Sequence, residues 1–206
     1  MTTATSTTSQ TTSHRLRAVA TPLVLAVVFL AGWYWADHWQ LDRAAVEDGR
    51  WWLLISGQFT HQTVSHGLSN FVAVLVAAAV APIWLNRWPG LLLVLGLALG
   101  VGVGVWLNNP EIDIYRGFSG VGHGWLMIAF AWSPFMSPWF KVLVLAGIQL
   151  KVIWEDSTFH EFAQFSGYFS DAEVLTDAHW YGVLLAIPVV IAFFAVRTYR
   201  DRVSPE

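Results

Sequence analysis

Six stretches of the chain are almost without charge and long enough to be read as helices: residues 18–36, 63–85, 90–107, 118–133, 139–154 and 179–196. A helix rises about 1.5 Å per residue and roughly 20 residues cross the hydrocarbon core of a bilayer, so the pattern predicts an all-α bundle of six transmembrane helices. The fourth and fifth stretches are short, and must be tilted, sit in thin membrane or be surrounded by protein. Between them "SPFMSP" marks a boundary, because Pro134 and Pro138 are costly inside a helix.

Polar positions between these stretches give an orientation. Arg15, Arg17, Arg87, Lys141, Arg197, Arg200 and Arg202 fall on one side of a six-span arrangement, and Arg43, Arg50, Arg116 and Lys151 on the other. Basic residues concentrate on the cytoplasmic side, which places both termini there. Twelve acids, Asp37, Asp42, Glu47, Asp48, Glu111, Asp113, Glu155, Asp156, Glu161, Asp171, Glu173 and Asp177, then face outside, with Asp201 and Glu206 within. Losing one helix would scramble this sorting, so charge supports the span count independently of hydropathy.

Composition narrows the class. With 55% apolar residues, 12% charged and thirteen tryptophans among 206 residues, and a mean hydropathy of +0.51, the chain is a membrane protein. A net charge of −3 without any basic block gives no support to a nucleic-acid partner. The absence of cysteine excludes disulfides, thiolate catalysis and Cys-based metal centres. Residues 1–15 read as a disordered, Thr/Ser-rich cytoplasmic tail, 16–200 as one six-helix membrane domain and 201–206 as a second cytoplasmic tail. The "HRLR" before the first apolar stretch could belong to a signal peptide. The length of the run, its aromatic "GWYWA" end and the lack of a small-x-small cleavage site favour a retained span. Glycines in "GLALGVGVG" suit close helix packing rather than a phosphate loop.

The apolar stretches carry a few polar residues that need explaining: His61, His66 and Asn70 at the second, Ser119 and His123 at the fourth, His179 at the sixth. Even-numbered spans all enter from outside, so these groups share one level, on the order of 5–10 Å deep. Polar groups in lipid are expensive and usually face the bundle interior, which makes this level a candidate site. Taken singly, a serine in such a helix bonds back to its own backbone, and an interior histidine is a packing residue. Ser119, however, opens its helix, where unpaired N–H groups favour an anion, and Gly117 and Gly120 leave its flanks uncrowded. Acyl transfer needs a nucleophile, a base and donors for the oxyanion. Ser119 and His179 can supply the first two, and His66 and Asn70, at i and i+4, can join the N–H of Ser119 as donors. No carboxylate is expected at this depth, and Asp177 reads as a solvated loop residue.

At these residues the chain resembles the rhomboid family of intramembrane serine proteases. The family pattern is met by "HGLSN" at 66–70, "GFSG" at 117–120 and "AHWYG" at 178–182, in order and sidedness. "YRGFSGVGHG", "KVIWE" and "DAHWYG" resemble the rhombosortase branch. The resemblance implies a six-helix rhomboid fold in a bacterial inner membrane with its active site opening to the periplasmic side. It also implies Ser119 as nucleophile, His179 as general base and His66, Asn70 and Ser119 at the oxyanion hole, with His61, Gly117, Gly120, His123 and Gly182 in support. The implied substrates are membrane-anchored envelope proteins with a C-terminal transmembrane signal of the Gly-Gly type, cleaved without cofactor or metal. The chain departs from the family where an aromatic residue becomes His123, where the Trp-Arg pair becomes "GRWWL" at 49–53, and where a late glycine becomes Ala186. Two other readings of the same residues are a catalytically silent binding module and a metal- or haem-binding protein using His61, His66, His123 and His179.

Overall fold

The computed structural model describes residues 20–156 and 175–203. The N-terminal tail with Arg15 and Arg17, the last three residues, and the acids Glu161, Asp171 and Glu173 lie outside the described residues. Among the described residues, six helices of fourteen residues or more overlap the six apolar stretches: α1 Ala20–Tyr34, α2 Val64–Val80, α3 Trp88–Asn108, α4 Ser119–Trp132, α5 Pro138–Asp156 and α6 Thr176–Val203. Among the described residues, Trp88–Asn108 and Thr176–Val196 are each long and apolar enough to cross a membrane. Leu53–Phe59 with Val64–Val80, bent by 95° at the break, would make a third crossing, and α1 is a shorter apolar helix.

Local chemistry sets the helix ends. The Thr63 side chain accepts a hydrogen bond from the N–H of His66 at 3.2 Å and starts α2. The second apolar stretch was expected to remain helical to residue 85, but α2 stops at Val80. Pro82 has no amide and pushes Ala81 into an extended conformation, ψ 152°, after which Ile83–Asn86 form a 3-10 turn. At α5, Pro138 stands first in the helix, where its missing N–H costs nothing.

Helix α4 is the centre of the bundle. Ten of its fourteen residues are buried, so its short length is matched by a sheath of protein rather than by thin membrane. Its closest partner is α6. The carbonyl of Gly120 lies where a side chain on Gly182 would stand, the carbonyl of Ala178 where one on Gly120 would stand, and Gly124 faces the carbonyl of Gly182 in the same way. Two backbones in contact leave no room for even a methyl group. Ala186, a turn beyond Gly182, is fully buried and still small enough for the seam.

The segment joining α1 to α2 is ordered, which its hydropathy did not predict. It holds one-turn helices at Ala36–Trp39, Arg43–Glu47 and Leu53–Ser56, and a two-residue antiparallel ladder in which Leu41 pairs with Tyr115 and Asp42 with Ile114. Arg43 anchors it. Its guanidinium donates to the carbonyls of Trp106 at 2.9 Å, Asn109 at 2.8 Å and Ile112 at 3.1 Å, capping the unpaired end of α3 with a positive charge. The "GRWWL" stretch therefore does not supply the anchoring arginine. Trp51 instead meets Trp106 edge-to-face at 5.6 Å.

Gly182→Ala is expected to cost about 1–3 kcal/mol, the usual penalty for overpacking. Gly96→Ala, on an exposed position with no atom near enough to collide, should be neutral or stabilising by up to about 1 kcal/mol. Thermal unfolding of the two variants in the same detergent checks the contrast.

Candidate functional site

The approach to α4 is shaped before Ser119 is reached. Tyr115 is buried, and its hydroxyl donates to the carbonyl of Gly117 at 2.9 Å. Burial, partly opposed by a hydrogen bond with Ser119, pushes this phenol above its ordinary range and keeps it a donor. Gly117 has φ +152°, which side-chain-bearing residues rarely adopt, and a Cβ there would lie 3.0 Å from Cε1 of His66. The missing side chain brings the His66 ring against the backbone just ahead of the serine. Ser119 itself is half-buried, and with Gln62, His66, Ile112, Ile114, Tyr115, Arg116 and Leu175 it lines a pocket of about 140 Å³.

Helix α2 contributes His66 and Asn70, both buried and one turn apart. Both ring nitrogens of His66 and the Nδ2 of Asn70 have no hydrogen-bond partner among the described residues. Buried donors are nearly always satisfied, so an orphaned set marks a place where something else binds. His61 lies just before α2, its ring 5.4 Å from that of His66 and perpendicular to it, and 4.8 Å from that of Phe29. It buttresses His66.

Helix α6 contributes His179, which is 2% exposed. Its Nδ1 lies 2.9 Å from Oε2 of Glu155, while its Nε2 is buried and unpartnered among the described residues. The ring stacks on that of His123, with centroids 4.1 Å apart and planes 27° from parallel. His123 thus keeps the flat contact that an aromatic residue would make. Its own Nδ1 lies 2.7 Å from the carbonyl oxygen of Ser119, one turn back on α4. The backbone seam reinforces this meeting, since Ser119 precedes Gly120 and His179 follows Ala178, and Gly120 and Ala178 are in contact.

Two expectations are corrected here. A carboxylate does reach the site, because Glu155 is only 5% exposed and bonded to His179 rather than solvated outside. Lys151, i−4 on α5, donates to its Oε1 at 2.6 Å and offsets the cost of burying that charge. The second correction concerns Asp177, which stands in the first turn of α6, half-buried, and accepts a hydrogen bond from Nδ2 of Asn109. The signal for Glu155 was present in "KVIWE", a Lys–Glu pair at i, i+4 closing an apolar stretch, but periodicity alone gives no hint that α6 covers it.

A site of four histidines is not what assembles. His123, Glu155 and His179 present ligand-type atoms within 4.8 Å of one another, while His61 and His66 stand apart from that group. The Lys151 ammonium touches two of the three, 3.0 Å from Nε2 of His123 and 2.6 Å from Glu155, so a fixed cation already fills the place between them.

A family model described as Rhomboid domain matches residues 48–196. Comparison with characterised proteins gives no match to the chain.

Tyr115→Phe removes one buried hydroxyl and leaves the carbonyl of Gly117 without its donor. A loss of about 1 kcal/mol in stability is expected, read by thermal unfolding in detergent.

Proposed function

We propose, because this chain belongs to the rhomboid family of intramembrane proteases, that it is a serine endopeptidase in which Ser119 attacks the scissile carbonyl and His179 serves as general base. The observation that carries this reading is the state of His179. It is a buried imidazole, fixed through Nδ1 to a carboxylate, with an Nε2 that has no partner among the described residues, and packed against the turn that bears the serine. Nε2 takes the proton from Ser119 as the acyl-enzyme forms and gives it to the departing amine; water then enters, loses a proton to the same nitrogen as it attacks the ester, and that proton returns to the Ser119 oxygen as the acyl group leaves.

The negative charge on the tetrahedral oxygen needs donors already in place. The N–H of Ser119 at the start of α4, a ring N–H of His66 and the Nδ2 of Asn70 are the groups we assign to it. The orphaned nitrogens on α2 support this, as they have no hydrogen-bond partner among the described residues. Gly117 lets a substrate backbone lie close to them. The pocket, at about 140 Å³, is well below the roughly 300 Å³ of small-molecule sites and suits one small side chain or a short extended stretch of backbone.

The membrane arrangement follows from the same premise. Six helices span, both termini are cytoplasmic, and the site opens outward, to the periplasm of a bacterial inner membrane. The substrates are envelope proteins held by a C-terminal transmembrane signal with adjacent glycines. Glycine weakens a helix by about 1 kcal/mol per residue, which favours the extended backbone that a buried nucleophile must meet.

A fluorophosphonate probe added to the protein in detergent is expected to label Ser119. Ser119→Ala should abolish labelling, His179→Ala should slow it by about 10²- to 10⁴-fold, and Asn70→Ala should lower turnover of a Gly-Gly reporter by about 10²- to 10³-fold with the fold intact. Labelling that survives Ser119→Ala would reject the nucleophile.

A further inference from the structure

Four side chains on three helices form one continuous hydrogen-bonded circuit. It runs from the Ser119 carbonyl to Nδ1 of His123 at 2.7 Å, from Nε2 of His123 to Nζ of Lys151 at 3.0 Å, from Nζ to Oε1 of Glu155 at 2.6 Å, and from Oε2 to Nδ1 of His179 at 2.9 Å. It starts on the residue that carries the proposed nucleophile and ends on the proposed base. A serine–histidine pair alone does not require the middle of it.

The protons in this circuit can be assigned from chemistry. A carbonyl oxygen only accepts, so His123 carries its proton on Nδ1 and, as a neutral ring, offers a lone pair at Nε2. An ammonium only donates, and Lys151 gives one proton to that lone pair and another to Glu155. An ionised carboxylate only accepts, so its second oxygen takes a proton from Nδ1 of His179. That leaves the lone pair of His179 on Nε2, the nitrogen without a partner among the described residues. Each link of the circuit then joins a donor to an acceptor, and the charges of Lys151 and Glu155 cancel.

From this we infer that Lys151 and His123 are positioning residues which, acting through Glu155, hold His179 in the one tautomer able to take a proton at Nε2. The inference rests on the reading of His179 as base. The charge on Lys151 is the deciding element. Without it Glu155 is a buried carboxyl group with no counter-ion, and burial favours its neutral form. A neutral carboxyl group can donate to Nδ1 of His179, which puts the ring proton on Nε2 and removes the base. His123 has two tasks. Its Nε2 holds the Lys151 ammonium, whose side chain is 48% exposed and would otherwise extend toward solvent, and its face holds the plane of the His179 ring.

The test uses the full chain in detergent, labelled with ¹⁵N-histidine, with the His179 ring signals identified by their loss in His179→Gln. Long-range ¹H–¹⁵N spectra report which ring nitrogen bears the proton, and the rate of Ser119 labelling by a fluorophosphonate is measured in parallel. The wild-type chain should show His179 protonated on Nδ1. Lys151→Met, which keeps the apolar stem, should lose that pattern and slow labelling by about 10-fold or more, within the 10²- to 10⁴-fold that a general base contributes. Lys151→Arg, which keeps the charge, should recover the tautomer and most of the rate. If Lys151→Met does not fold, Lys151→Gln, with a donor but no charge, carries the same expectation. A wild-type His179 protonated on Nε2, or an uncharged Lys151 variant with unchanged tautomer and rate, overturns the inference. A wild-type chain that never labels at Ser119 overturns the protease reading instead, and the tautomer measurement still decides the role of Lys151.

Discussion

The contact between the backbones of α4 and α6 governs the rest of the site. Gly120 touches the carbonyl of Ala178, and Gly182 touches the carbonyl of Gly120, so the two helices meet at a separation that any side chain would forbid. In a bilayer there is little hydrophobic gain from bringing helices together, and such a seam is held by dispersion between close surfaces. Its register also fixes chemistry. Ser119 is next to Gly120, His123 next to Gly124, and His179 next to Ala178, so each polar residue is one position away from an atom in tight contact. Sliding or spreading the seam would move the serine, the stacked imidazole and the buried histidine together. The glycines and the polar residues thus form a single interlocked feature rather than a packing motif beside a reactive one.

A second set of contacts fixes the N-terminal ends of these helices. Asn109, buried just past α3, gives its carbonyl to Arg43, accepts the hydroxyl of Tyr181 at Oδ1 and donates through Nδ2 to Asp177. Through it the loop after α1, the end of α3 and the first turn of α6 become one unit. The ladder of Leu41–Asp42 with Ile114–Tyr115 extends the same unit to the residues leading into Ser119, and Arg116 adds contacts to Gln40 and Asp37. Arg43 is effective because it donates to three carbonyls at and just beyond the end of α3, at a place where its charge also suits the helix dipole. The polar surroundings of the site are held by hydrogen bonds to backbone and between side chains, which fix direction more closely than apolar packing does.

These two layers explain what could be read from the chain and what could not. Hydropathy located all six long helices, since each apolar stretch exceeds what a loop would carry, and the polar intruders His66, Asn70, Ser119 and His179 stood out against it. The order of the 37–62 segment escaped notice because its hydrogen bonds run to residues about 70 positions away, which no local pattern encodes. Glu155 was misjudged for a related reason. An acid in the last turn of an apolar stretch looks like a solvated end, and only the arrival of α6 over that turn buries it. Asp177 was misread in the same direction, its partner Asn109 lying 68 residues earlier. Local pattern reported which residues were unusual, and tertiary contact decided what each of them touches.

Burying Glu155 against His179, with a half-exposed Lys151 as its counter-ion, has an energetic consequence in a membrane protein. A buried ion pair returns little net stability against apolar residues of the same size, because desolvation offsets the attraction. The arrangement is therefore hard to explain as a stabilising device. Removing one partner is another matter, since the survivor is left as an uncompensated charge or changes its protonation. In the proposed reading, the complete circuit assigns every proton, and a broken one leaves the carboxyl neutral and the histidine tautomer free to change. On that reading the circuit serves specificity of protonation in place of stability, the property that the proposed general base requires before substrate arrives.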